Sequence, residues 1–223
     1  MQVDFCEFPD DVLYDFDNNV WIRREDDGHV VLGITSILSA LAGKLTKVSI
    51  KPVDSVIART QNLATVESPR YFGAVKSPLS CTVTAINEAL LLHPKLANDY
   101  PYSSGWFAQL QPTPMDQDLR GLSAPHGAEE KIRSIIKNLH VRCFKAYPDH
   151  ELWEVGVECA AVLVRLNEMI ESCSAGEIIH VVSDDPTADI EMVRWADQSG
   201  QTILESRSEG NLKHFIVKKK TSD

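Results

Sequence analysis

No apolar run in the 223 residues approaches the roughly 20 needed to cross a bilayer. The opening Met1-Gln-Val-Asp-Phe-Cys-Glu7 has neither the basic nor the apolar stretch of a secretory leader, and its acidity is unlike a transit peptide. A cytoplasmic protein with no membrane partner is expected. Basic charge is scarce as well. Against 32 Asp and Glu stand 22 Lys and Arg, a net charge of −10 that repels phosphates and removes nucleic acid from the expected partners. The one basic cluster, Lys218-Lys219-Lys220, ends an alternating strand pattern and reads as a solvated strand end. Paired cysteines are missing too. Cys6, Cys81, Cys143, Cys159 and Cys173 include no C-x-x-C, so free thiols are expected rather than a disulfide framework. No Cys/His pair has ligand spacing, so no metal is expected. H-E-x-x-H, G-x-G-x-x-G and G-x-S-x-G are absent, and Gly43-Lys44 lacks the upstream glycine of a phosphate loop because position 38 is Leu38.

What is present is ordinary for a globular chain: 43% hydrophobic and 24% charged residues, over a length that suits two small domains. The clearest boundary is Gln111 to Gly127, with three prolines, two glycines and few core-forming residues. No internal repeat crosses it. Residues 1–111 are read as one domain, 112–150 as linker and connecting helix, and 151–223 as a second domain.

Upstream, short β-like runs dominate: Val20-Trp-Ile-Arg, His29 to Ile34, Val53 to Ala58, Leu63 to Val66 and Cys81 to Ile86. Two helices interrupt them. One runs from the N-cap Thr35 to Leu41 and ends at Gly43; the other runs from Asn87 to about Leu92 and stops at Pro94. This pattern predicts an all-β sandwich or flattened barrel. Beyond the boundary, Ile132, Ile135, Ile136 and Leu139 mark a helix from Glu129, read as a connector. Then Glu151–Val157 is strand-like, and Cys159, Val162, Leu163, Leu166, Met169 and Ile170 line one face of an amphipathic helix. A strand over Glu177–Ser183 follows Gly176. Next come a helix from Thr187 to about Gln198, with Asp185 as N-cap and Pro186 at its first position, and strands Gln201–Ser206 and Leu212–Lys219. The order β-α-β-α-β-β predicts a two-layer α+β sandwich.

The segment Asn87-Glu-Ala-Leu-Leu-Leu-His-Pro-Lys-Leu-Ala-Asn-Asp-Tyr-Pro-Tyr-Ser-Ser-Gly-Trp106, with Gly33-Ile-Thr35 and Val66-Glu-Ser68, resembles the glycine cleavage system H proteins over about Pro9 to Pro112. The resemblance implies a lipoyl-domain fold, the barrel-sandwich hybrid, with a hairpin that carries a lipoyl-lysine in the pattern E-S-V-K. This chain reads Glu67-Ser68-Pro69-Arg70, and a guanidinium cannot form the lipoyl amide. Lipoate is therefore not expected at Arg70. Lys76, six residues on, is the alternative acceptor and reads better as an exposed strand lysine. Tyr102 and Trp106 read as packing aromatics.

The second half resembles the TusA-like (SirA-like) sulfur-carrier family over about Glu151 to Lys220. The supporting residues are Gly156-Val-Glu-Cys159, Gly176-Glu177 and Asp184-Asp-Pro186, without gaps between them. Where the family has C-P-x-P, this chain has Cys159-Ala160-Ala161-Val162. Spacing alone favours Cys159 as a small apolar core residue; the resemblance moves the reading to sulfur handling. The start of a helix favours an anion, which predicts a lowered thiol pKa at Cys159, with Glu158 opposing. Asp184 and Asp185 read as turn and helix cap, and Cys143 and Cys173 as structural or exposed. The function implied is a sulfur carrier or sulfurtransferase bearing a persulfide on Cys159. The N-terminal domain would serve as docking module, with sulfur-donor and sulfur-acceptor proteins, and lipoyl-system enzymes, as partners. The alternatives are a non-catalytic adaptor, or a lipoyl carrier of a glycine-cleavage-type system using Lys76.

Overall fold

The computed structural model describes residues 1–113 and 119–221; the chain divides into two units, Met1–Cys143 and Phe144–Asp223. Residues 114–118, inside the expected linker, lie outside the described residues.

Alternating apolar residues build most of the first unit into two antiparallel sheets, beside a two-stranded one formed by Gln2–Val3 and Cys6–Glu7. The larger has six strands in the order Leu13–Asp15, Val20–Arg24, Val30–Ile34, Ala108–Pro112, Cys81–Ile86 and Val56–Ile57. The smaller has Lys47–Ile50, Asn62–Ser68 and Tyr71–Lys76. Ile22, Leu32, Leu63, Val66, Val75, Leu79 and Phe107 fill one core. The helix Ser36–Ala42 starts where expected, because the Thr35 hydroxyl accepts the Leu38 N–H. Removing that cap would cost about 1 kcal/mol. The helix Glu88–Leu92 follows Asn87, whose amide does not cap it. Instead Asn87 Nδ2 donates to the carbonyls of Ser104 and Trp106 at 2.8 and 2.7 Å, closing the segment that follows into one folded loop.

Two expectations change at the chain's N-terminal end. The helix read as a connector, Glu129–Asn138, buries Ile132 and Ile136 against Val3, Phe8, Tyr14 and Phe16, so it belongs to the first unit. Its apolar spacing needed a partner, and the first sixteen residues supply one. Cys6 and Cys143 are bonded to each other, correcting the expectation of dispersed free thiols. They stand 137 residues apart, a pairing that no local spacing could announce.

The second unit has one four-stranded sheet in the order His150–Glu154, Ile178–Ser183, Leu212–Lys218, Thr202–Glu209. The first pair is parallel and the others antiparallel. A parallel pair needs a crossover, and the helix Cys159–Ser172 provides it. That helix and Ala188–Ser199 pack Val162, Leu166, Ile170, Met192 and Trp195 on the face formed by Leu152, Ile179, Val181, Phe215 and Val217. The other face carries His180 and His214, stacked with ring centroids 5.2 Å apart, and Phe144 lies 4.5 Å from His180. The strand Ile178–Ser183 is buried throughout, which explains its nearly continuous apolar reading. The expected β-α-β-α-β-β order is the observed one.

Candidate functional site

The hairpin between Asn62–Ser68 and Tyr71–Lys76 pairs Ser68 with Tyr71, leaving Pro69-Arg70 as its two-residue loop. Arg70 therefore stands at the tip. The tip is tied to the helix Ser36–Ala42: the Ser68 hydroxyl donates to the Ala42 carbonyl at 2.6 Å, and the Arg70 N–H donates to the Ser68 hydroxyl. The Arg70 side chain lies on Gly43, where a Cβ would stand 2.6 Å from its Nε. Arg70 could swing aside, but Gly43 has φ +79°, a backbone conformation that L side chains rarely adopt, so the turn itself favours glycine. Asn98, buried, secures the same turn by donating to the Gly43 carbonyl and accepting from Leu45 N–H. A cation over the carbonyl end of a helix is well placed electrostatically. Lys76 pairs with Asn62 at the base of the hairpin, five residues and about 17 Å of strand from Tyr71. Tyr102 donates to the Glu7 carbonyl and accepts from Ser36 N–H, so this aromatic is structural.

In the second unit the candidate is Cys159, first residue of its helix. The loop leading to it is clamped from 26 residues and more away. Gly156 N–H donates to Asp184 Oδ1 at 2.7 Å, and Cys159 N–H donates to Asp185 Oδ2 at 2.8 Å. The other oxygen of Asp185 accepts the Thr187 N–H at 2.7 Å and the Thr187 hydroxyl at 2.6 Å. One carboxylate thus ties the start of the Cys159 helix to the turn before Ala188–Ser199, whose N-cap is Thr187 and not the expected Asp185. These bonds hold the carboxylate's pKa low, the Thr187 contacts contributing most.

This arrangement overturns the expected acidity of Cys159. The N–H that would have stabilised a thiolate already serves a carboxylate. The thiol is 3% exposed among Val162, Leu166 and Met192. Burial pushes its pKa up, and the charges of Asp185 and Glu191 push it further. At neutral pH it is a protonated, sheltered thiol. The helix-start argument failed because it counted the donors and not the acceptor brought to them by the turn after Ser183.

Cys173 is the C-terminal cap of the same helix and is buried. It lies beside His150 and Glu177, from the first strand and from the turn after the helix. Sequence spacing could not show this group, because His150 precedes Cys173 by most of a strand and a whole helix.

Two family models match this chain: one described as glycine cleavage H-protein over residues 12–135, and one described as sulfurtransferase TusA over residues 154–219. Glycine cleavage system H protein 2 of Aquifex aeolicus is 35% identical over 138 residues, 62% of this chain and 86% of that protein. Glycine cleavage system H protein 5 of the same organism is 34% identical over 145 residues, 64% of this chain and 98% of that protein. A crystal structure of a glycine cleavage system H protein from Mycobacterium marinum matches 48% of this chain and 87% of its own, at 28% identity and a TM-score of 0.45. Both the barrel with its arginine-tipped hairpin and the clamped cysteine loop fall within matched residues. The chain belongs to the glycine cleavage H-protein family and joins to that domain a second one of the TusA type.

Proposed function

We propose that this protein is a sulfur carrier in which Cys159 holds the transferred sulfur as a persulfide and the H-protein-type domain serves as a docking module. The observation that supports it best is the place of Cys159: the first residue of a helix, at the end of a loop clamped by Asp184 and Asp185, inside the TusA-type segment. In the loading step the Cys159 thiolate attacks the outer sulfur of a donor persulfide. A new S–S bond forms as the donor's own S–S bond breaks, and the donor cysteine leaves as a thiol once it takes the proton given up by Cys159. Nothing is oxidised overall. An acceptor nucleophile takes the outer sulfur by the same exchange.

The resting thiol is protonated, so the donor must supply what this chain withholds. Glu158, Asp184, Asp185 and Glu191 surround the loop with negative charge, and the whole chain carries −10. A donor with a basic docking surface would offset Asp185 and Glu191 and so bring the Cys159 pKa down. Lipoate has no part in this reading, since Arg70 occupies the hairpin tip and Lys76 its base.

The adaptor reading has its own support in the buried, high-pKa thiol and in Arg70 lying on Gly43. Intact-mass spectrometry with peptide mapping, before and after incubation with a persulfide donor, separates the readings. One sulfur on Cys159, absent in Cys159→Ala, is the expected result. A Cys159 that gains no sulfur, or gains no more than Cys81 and Cys173, would leave the adaptor. A lipoyl adduct on Lys76 in untreated protein would establish the third function.

A further inference from the structure

The cluster at the far end of the Cys159 helix does not depend on sulfur transfer. His150 opens the first strand of the second unit, Cys173 caps the C-terminus of the helix, and Glu177 follows the Gly176 turn. The imidazole nitrogen, the sulfur and a carboxylate oxygen all lie within 4.8 Å of one another, and His150 Nε2 stands 3.0 Å from Glu177 Oε2. A tetrahedral zinc ion with ligand bonds of about 2.0–2.3 Å would space such atoms about 3.3–3.6 Å apart, so small side-chain shifts suffice. A His–Glu hydrogen bond would need no cysteine, and a cysteine serving only as core filler would need no such bond beside it.

We propose that His150, Cys173 and Glu177 form a site for a divalent transition-metal ion of zinc type. Nitrogen, sulfur and oxygen together suit a borderline-soft cation and suit magnesium or calcium poorly. Backbone hydrogen bonds hold Cys173 and Glu177 in place without the metal, and parallel pairing with Ile179 holds His150. Cys173 N–H donates to the carbonyls of Met169 and Ile170, Gly176 N–H to Lys219, and Lys219 N–H to Glu177. The side chains of His150 and Glu177 are 37% and 27% exposed, so the fourth position opens to water.

Charge also favours a cation. A bound ion would face the Cys173 thiolate and the Glu177 carboxylate, with Asp149 acting on Glu177 from beside it. Opposing them is Lys219, whose ammonium donates to the Cys173 carbonyl at 2.6 Å. On binding, the Cys173 thiol releases one proton to solvent as the S–metal bond forms, and His150 Nε2 exchanges its hydrogen bond to Glu177 for the metal. The oxidation state of neither partner changes.

Cobalt(II) titration of the chelator-treated, full-length protein tests the site, with Cys173 kept reduced by a non-coordinating phosphine. One equivalent should bind with a near-ultraviolet thiolate-to-cobalt band, and zinc should displace it. Cys173→Ser should abolish the band, and His150→Gln should weaken binding by at least about a hundredfold, beyond the 10–100-fold typical of outer-shell changes. Cys159→Ala should leave both unchanged, which separates this site from the sulfur carrier. His150→Gln also guards against a Cys173 variant that fails to fold, because it alters a part-exposed side chain and keeps the thiol. No thiolate band, or a band of unchanged affinity in His150→Gln, overturns the proposal.

Discussion

The hairpin tip of the first unit and the cysteine loop of the second are each tied down by their own chain, in different ways. At the tip, Ser68 bonds the Ala42 carbonyl and Arg70 lies on Gly43. At the loop, Asp184 and Asp185 take the N–H groups of Gly156 and Cys159. The difference is in what the tether holds. At the tip stands a guanidinium, which cannot form the lipoyl amide that a lysine amine can. In the loop a thiol is present but sheltered by burial and by the negative charge of Asp185 and Glu191. If Cys159 carries sulfur as proposed, the tip excludes one chemistry while the loop keeps another for a partner able to offset its charge.

The largest expected effect concerns the frame that supports the tip. Cys6→Ser together with Cys143→Ser should cost the first unit about 2–5 kcal/mol, by the loop-closure argument for a disulfide that spans 137 residues. The second unit, with no disulfide among its described residues, should be unaffected. Urea unfolding followed by hydrogen exchange of each unit checks this, and equal loss in both would erase the contrast. Next, Arg70→Lys should make position 70 a substrate for a lipoate ligase, read as one lipoyl mass on the hairpin peptide; the unaltered protein should give none there. Failure of the variant to accept lipoate would mean that the tether at Ala42, and not only the missing amine, closes the tip.

Unmasking the loop should be gentler. Asp185→Asn keeps an acceptor for the N–H groups of Cys159 and Thr187 but removes the charge facing Cys159. It should lower the thiol pKa and raise its alkylation rate at mildly alkaline pH by several-fold, on the order expected from one nearby charge. A rate unchanged by the substitution would assign the masking to burial alone.

The smallest effect is on pH dependence. The Cys159 pKa is raised in the folded chain, so its contribution to stability is complete below the ordinary thiol value of 9.0 and is lost as pH rises through the folded value. Asp185 runs the other way. Its folded pKa is lowered, so its contribution is present above the usual 3.8 and is lost as pH falls through the folded value. Thermal unfolding of Cys159→Ala and Asp185→Asn against the parent should differ in slope at alkaline and acid pH respectively.

The parts of the fold that were legible in the sequence are those set by local pattern. The helix face from Cys159 to Ile170 announces itself by spacing, and Thr35 and Gly43 bracket their helix through cap chemistry that acts within three residues. The short strands Leu13–Asp15, Lys47–Ile50 and Ala108–Pro112 were not legible, since an alternation over two apolar residues is too short to stand out from chance. The site was legible to the same degree. Cys159, Arg70 and the Asp184-Asp185 pair were visible as residues, but the bond from Asp185 to Cys159 joins positions 26 apart and reverses the expected acidity. The Cys6–Cys143 bond and the His150–Cys173–Glu177 group are non-local in the same sense.

The Cys6–Cys143 bond closes the first unit at its last residue, Cys143, immediately before the second unit begins at Phe144. Under tension between the two chain ends, force enters near Cys6 and leaves at Cys143 through covalent bonds alone. Everything threaded between them is then out of the load path. About 480 Å of contour, 137 residues at about 3.5 Å each, stays hidden until the bond is reduced. An oxidised molecule held at both ends would yield only the length of its second unit, and the missing length would return on adding a thiol.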